Sequence, residues 1–205
     1  YVVGKEGSWS DIKQFTLYNR DYIITNGFKF VQVTDQQGFN QEEYKTWQLS
    51  ADYIKANESV NFCLNTGDYT QNGNRINEWI DYFNGGNSLI SNMEHIGTVG
   101  NNDLSPFNNY ELGDGSDASK NNPINMRYFF TFEHPYQIPM SSAGVYVPCV
   151  YSFVYGNTYF LSMNSEITEI ASSTLFLDVD GGTKVYEAIQ DWCENDLLNL
   201  VSDSN

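Results

Sequence analysis

Three short apolar runs in this chain each end on side-chain oxygens. Phe28 to Asp35 reads Phe-Lys-Phe-Val-Gln-Val-Thr-Asp and is followed by Gln36-Gln37-Gly38. Val60 to Asp68 ends in Gly67-Asp68, and His95 to Asp103 ends in Gly100-Asn101-Asn102-Asp103. Carboxylates and amides converging from separate strand ends suit a hard or borderline divalent cation, and one carboxylate placed between two cations can bridge them. Taken singly, Asp and Asn at strand ends are also ordinary turn residues and helix caps. Order and repetition are what point to a site.

For those oxygens to meet, the runs must be neighbouring strands of one sheet. Their apolar, β-branched character predicts buried parallel strands joined by crossover helices, with the acids at the carboxyl edge where open α/β sheets bind ligands. Between the first two runs, residues 41–56 carry Tyr44, Trp47, Leu49, Ala51, Tyr53 and Ile54 mostly on one helical face, and Asn40 with Glu43 resembles a capping box. A shorter helix is predicted over 75–84, stopped by Gly85-Gly86, then a link and a third strand over 96–99. Residues 1–27 read as a lead-in with one strand around 21–25. Residues 104–125, rich in Asn, Asp, Gly and Ser, read as a long loop that could rim the site. Strands are expected over 126–132, 145–154 and 175–179, and Gly156-Asn157 between apolar runs signals a hairpin returning over 159–163. Residues 183–201, with Ile189, Trp192, Cys193, Leu197, Leu198 and Val201 at helical spacing, predict an amphipathic helix.

A chain of 205 residues with 40% hydrophobic content supports one sizeable core rather than disorder. One domain over 28–205 is expected, preceded by the lead-in 1–27. The net charge of −16 opposes polyanion binding through a general field, so a nucleic-acid groove is not expected. A phosphate ester remains possible because a bound cation inverts the local electrostatics. No apolar run approaches membrane-spanning length, and the N-terminus lacks the basic-then-apolar pattern of a signal peptide, which leaves the compartment open. A start at Tyr1 rather than Met suggests removal of a leader or preceding segment. Cys63, Cys149 and Cys193 are odd in number and widely spaced, and read as buried thiols rather than a disulfide framework.

The order Asp35-x-Gln37, Gly67-Asp68-x-x-x-x-Gly73, Gly100-Asn101-Asn102-Asp103 resembles the calcineurin-like metallophosphoesterase superfamily, whose signature runs Asp-x-His, Gly-Asp-x-x-x-x-Gly, Gly-Asn-His-Asp/Glu. The run Tyr151 to Glu166 resembles the hairpin of its purple-acid-phosphatase-like branch. The resemblance covers about residues 28–200. It implies an α/β fold, a β-sandwich flanked by helices (αββα), with a dinuclear centre of divalent metal ions (Mn, Fe, Zn or Mg) that hydrolyses a phosphate-ester substrate. By the same resemblance Asp35 is a terminal metal ligand, Asp68 the bridge, and Asn101 a ligand to the second metal. Gln37 stands where the family has a ligating His and is expected to coordinate through its carbonyl oxygen. Asn102 stands where the family has the His that assists the leaving group, and Asp103, the acid that would orient that His, is left to hold the loop by hydrogen bonding. An Asn has no proton to give at neutral pH, which removes a term worth about 10² to 10⁴ in rate. The family completes its metal sites with histidines on later strands, whereas this chain has only His95 and His134, neither in such a motif. His95 is expected before the third strand as a structural or exposed residue, and His134 in a loop. A fragment of a longer protein would account for that gap.

A second reading is a non-catalytic descendant of the fold within a larger assembly such as a cell-surface or virion protein. A third is a carbohydrate-binding module using exposed aromatics, although aromatics at strand and helix spacing are more often core.

Overall fold

The computed structural model describes residues 4–5, 7–9, 12–104, 129–130, 150–164, 187 and 189–198. After a two-residue antiparallel pair, β1 (Gly4–Lys5) and β2 (Ser8–Trp9), comes helix α1 (Arg20–Asn26). The parallel sheet consists of β3 (Phe30–Val33), β4 (Phe62–Asn65) and β5 (Glu94–Gly97) in that spatial order. Helices α2 (Lys45–Asn57) and α3 (Ile76–Ile90) make the two crossovers. A short helix α4 (Asn101–Leu104) follows, and β6 (Tyr151–Tyr155) and β7 (Thr158–Ser162) form an antiparallel hairpin. The fold is therefore mixed α/β, as the strand and helix patterns imply. No helix among the described residues is long and apolar enough to cross a membrane.

The register explains why the three runs end together. Val33, Asn65 and Gly97 lie opposite one another at the carboxyl edge, so Asp35, Asp68 and the start of α4 emerge side by side. Successive strand side chains alternate faces, and β4, the central strand, serves two cores. Phe62 stacks on Phe30 at 5.1 Å and meets Phe153, Tyr155 and Phe160 of the hairpin. Cys63 and Asn65 belong to the helix side, where the Asn65 amide reaches the Tyr82 hydroxyl of α3 at 3.0 Å. Burial pushes the Cys63 thiol up to about 12, so it is an inert core group. The first run was expected to be a buried strand. Instead β3 lies at the edge of the sheet formed by the described residues, and Phe30 keeps 39% exposure.

Three local expectations are corrected. The strand around 21–25 is a helix: Asn19 accepts from the Tyr22 N–H at 2.7 Å as N-cap, and Gly27 closes the helix at φ 74°. It docks on the hairpin through Arg20 Nε to the Gly156 carbonyl, 3.1 Å. The glycine pair 85–86 does not stop α3, which runs on to Ile90. Its role is close packing: a Cβ on Gly86 would come within 2.7 Å of the Trp47 ring, and Trp47 stacks on Tyr82 at 5.7 Å while donating to the Tyr82 carbonyl at 3.1 Å. His95 sits inside β5, not before it.

Asn40 and Glu43 do interlock, with Asn40 Oδ1 accepting from Glu42 N at 3.1 Å and Glu43 Oε2 accepting from Phe39 N at 2.9 Å, but they do so in a turn ahead of the helix and do not cap it. Helix α2 begins at Lys45 rather than 41, and its N-cap position, Tyr44, makes no side-chain capping bond. Other expectations hold. Gly156 takes φ 63° in the two-residue hairpin turn, a position where Gly is required. Near the C-terminus, a π-helical stretch Trp192–Leu197 stands within the helix expected over 183–201. The loop 104–125 beyond Leu104, the strand 175–179, Cys149 and His134 lie outside the described residues, as does the strand 126–132 apart from Phe129 and Phe130.

Candidate metal centre

The backbone at the sheet edge adopts a conformation that only a few residue types tolerate. Asp35 has φ 58° and Asp68 φ 56°, the two non-glycine residues with positive φ among those described. That left-handed geometry costs on the order of 1 kcal/mol or more for an ordinary side chain and clusters at functional sites. The two turns are joined directly: Asp35 N donates to the Gly67 carbonyl at 3.1 Å and Gln37 N to the Asp68 carbonyl at 3.1 Å. The motif glycines let the third turn close in. Gly67 has φ 113°, and a Cβ there would stand 2.4 Å from Gly100 N; one on Gly100 would stand 2.1 Å from Asp68 Oδ1.

Asp103 holds this arrangement. Its Oδ2 accepts from Asp68 N at 2.8 Å and Gly100 N at 3.0 Å. Its Oδ1 accepts from Tyr69 N at 3.0 Å, Thr70 N at 3.1 Å and Thr70 Oγ1 at 3.2 Å. Burial lifts its pKa to about 7, while the N–H groups of Gly100, Thr70 and Asp68 pull the other way. With both oxygens occupied by donors, Asp103 is a scaffold for the turn 67–70 and not a ligand.

Asp68 is gripped by the residue before Asp103. Asn102 N donates to Asp68 Oδ1 at 3.1 Å and Asn102 Nδ2 to Asp68 Oδ2 at 2.9 Å. Burial raises the Asp68 pKa, the Asn102 bonds lower it, and the nearby negative charge of Asp35 raises it again. Asp35 itself is exposed, with Thr34 Oγ1 donating to its Oδ2 at 2.7 Å. The Gln37 amide fits in two senses. In one, Nε2 donates to Asp68 Oδ2 at 3.3 Å. In the other it donates to the carbonyls of Asp68 at 3.1 Å and Asp35 at 3.2 Å, which satisfies the amide better and turns its oxygen toward the Asp68 carboxylate. Asn101 is exposed at the first position of α4, so Asn102 rather than Asn101 is the amide in contact with Asp68.

These groups fit a divalent cation. All the donors are oxygens, Asp35 and Asp68 repel one another, and Asn102 Oδ1 is buried without a hydrogen-bond partner among the described residues. Among the described residues no three His, Cys, Asp or Glu side chains converge as a metal cluster, and the donors beside the two carboxylates are amide oxygens. His95 belongs elsewhere. Its Nε2 is 2.8 Å from the Tyr82 hydroxyl, its ring packs against Tyr69, Tyr82 and Phe130, and burial lowers its pKa to about 4.

One participant escaped the sequence reading. Asn65, fully buried at the end of β4, donates to Gln36 Oε1 at 2.8 Å and accepts from Gly67 N at 2.9 Å, pinning the loops on both sides of the carboxylates. The available signal was a polar residue closing an apolar strand just before Gly67-Asp68.

The chain matches the family model described as calcineurin-like phosphoesterase over residues 28–201. Among solved structures it is similar to purple acid phosphatase PPD1 from yellow lupin (Lupinus luteus) seeds, with 14% identity and a TM-score of 0.41, over 64% of this chain and 23% of that one. The chain thus spans less than a quarter of the length of that phosphatase. No curated protein matches it.

Proposed function

The chain belongs to the calcineurin-like phosphoesterase family, and from that premise we propose that its β3–β4–β5 edge holds divalent cations, two of them in a dinuclear centre, for hydrolysis of a phosphoester. Metal-dependent phosphoester hydrolysis is the chemistry of the family at its coarsest. The observation that carries the assignment to this edge is the pairing of Asp35 and Asp68, both left-handed, on stitched turns at adjacent strand ends. Asp35 and Asp68 would hold the cations, with the amide oxygens of Gln37 and Asn101 as further donors. When bound, such cations supply charge to neutralise phosphoryl oxygens and to acidify a water.

The chain's own residues do the positioning. Asp103 and Asn65 fix the turn that presents Asp68, and Asn102 fixes the carboxylate. Asn102 donates no proton, so a leaving oxygen receives none from this position. The test is hydrolysis of a chromogenic phosphate diester with Mn²⁺ added, with Asp68→Ala as control. Turnover abolished by the substitution supports the proposal; turnover unchanged by it overturns the assignment.

The amide at position 102 also favours a second reading, a cation-binding module without turnover, as a structural part of a larger assembly. Mn²⁺ binding that depends on Asp68, with no hydrolysis of mono- or diesters, would select it.

A further inference from the structure

Asn102 stands beside the carboxylate with two donors and one unanswered acceptor. Its main-chain N–H and its Nδ2 each take one oxygen of Asp68, at 3.1 and 2.9 Å, so the carboxylate plane is fixed at two points. A carboxylate has about four acceptor sites, and a two-point grip leaves the others for a further partner. The grip is rigid because its own base is anchored. The next residue, Asp103, is tied to four main-chain N–H groups, and the Asn102 carbonyl accepts from Gly73 N at 3.0 Å.

The other end of the same amide is buried and unpaired. Asn102 keeps only 7% exposure, and its Oδ1 has no hydrogen-bond partner among the described residues. A buried, unanswered carbonyl is unfavourable, and a hydrophobic side chain of the same shape avoids it. For stability alone, then, the unpaired oxygen offsets what the Nδ2 bond to Asp68 contributes. The amide's value lies in what the N–H side does to Asp68.

We infer that Asn102 is a positioning residue for cation binding: it sets the Asp68 carboxylate in the orientation a divalent cation needs, at the expense of an unpaired buried oxygen. The inference rests on the proposed function, since it presupposes that Asp68 is a ligand. It differs from a purely structural role in that metal affinity, and not the metal-free fold, depends on the side chain. Groups that hold a ligating carboxylate by hydrogen bonds change metal affinity roughly 10- to 100-fold when removed.

The test uses Asn102→Leu, which keeps the branching of the side chain and the main-chain N–H but removes Nδ2 and Oδ1. Mn²⁺ affinity is measured by calorimetric titration of the whole chain, and thermal melting is followed in chelator. The expected result is Mn²⁺ binding weakened roughly 10- to 100-fold with metal-free melting little changed. Asn102→Ala serves under the same criteria if the Leu variant does not fold. Wild-type affinity in the variant overturns the inference, as does a loss of affinity that merely tracks a lower metal-free melting temperature. In either case, abolition of binding by Asp68→Ala leaves the proposed function standing. If the unmodified chain shows no saturable Mn²⁺ binding, the proposed function falls and this inference with it.

Discussion

Asp35 and Asp68 close neighbouring strands with nearly the same left-handed backbone, φ 58° and 56°, yet their surroundings differ. Asp68 is 9% exposed, its carboxylate is held by Asn102, and its main-chain N–H is held by Asp103. Asp35 is exposed on an edge strand, and its carboxylate takes a local bond from Thr34. One acid is built into the fold, whereas the other has room to adjust. A cation site needs both properties: a fixed reference that lowers the ordering cost of binding, and a ligand that can follow ion and substrate.

The largest effect that would break this contrast is expected at Asp103. Asp103→Ala strands the N–H groups of Asp68, Tyr69, Thr70 and Gly100 in the interior. A loss of about 4 kcal/mol or more in denaturant-induced unfolding is expected, at roughly 1–3 kcal/mol for each buried group left unpaired. A loss under about 1 kcal/mol would mean that the Asp68 edge is not locked. Gly67→Ala comes next, because φ 113° and a Cβ 2.4 Å from Gly100 N leave it no relaxed conformation. It should cost about 3 kcal/mol in the same assay.

A pH series sharpens the comparison from behind the locked edge. His95 is joined through Tyr82 to Asn65, which holds Gly67. Its pKa falls from 6.5 to about 4 because burial disfavours the charged ring. The unfolded chain therefore takes up a proton below about pH 6.5 that the folded chain refuses until about pH 4. Stability from this group is complete above about 6.5 and declines by about 3 kcal/mol as pH drops to about 4, at about 1.4 kcal/mol per pH unit. Asp103, lifted to about 7, takes up a proton in the folded chain over the same window and opposes the decline, so the decline should appear in the difference in stability between wild type and His95→Gln. At the adjustable acid the effect is smallest: Asp35→Asn keeps a residue that tolerates the left-handed backbone and removes a repulsion from Asp68. Its stability should lie within about 0.5 kcal/mol of wild type while Mn²⁺ binding weakens.

The contrast also shows how much was legible in the sequence. Both acids were found, because an apolar run ending on a carboxylate is written in consecutive residues. So were the parallel strands, the pairing of Asn40 with Glu43 and the Gly156-Asn157 turn, all of which depend on local spacing. The difference between the acids was not legible. Whether β3 or β4 lies at the centre depends on strand order, which local pattern does not encode. Gly85-Gly86 reads as a stop until Trp47, far away in sequence, is seen lying against it. Asp103, with no histidine to orient, was expected to hold a loop by hydrogen bonds; which loop was not legible, because its partners are main-chain N–H groups of a turn more than thirty residues earlier. Asn102 looked like the loss of an acid. In the fold, it is a grip on Asp68.

The most direct measurement is an anomalous difference map recorded near the manganese absorption edge, from crystals of the chain grown with Mn²⁺. The account predicts a peak within bonding distance of the Asp35 and Asp68 carboxylates. A well-ordered edge with no peak there, or a peak bound only by other residues, would contradict it.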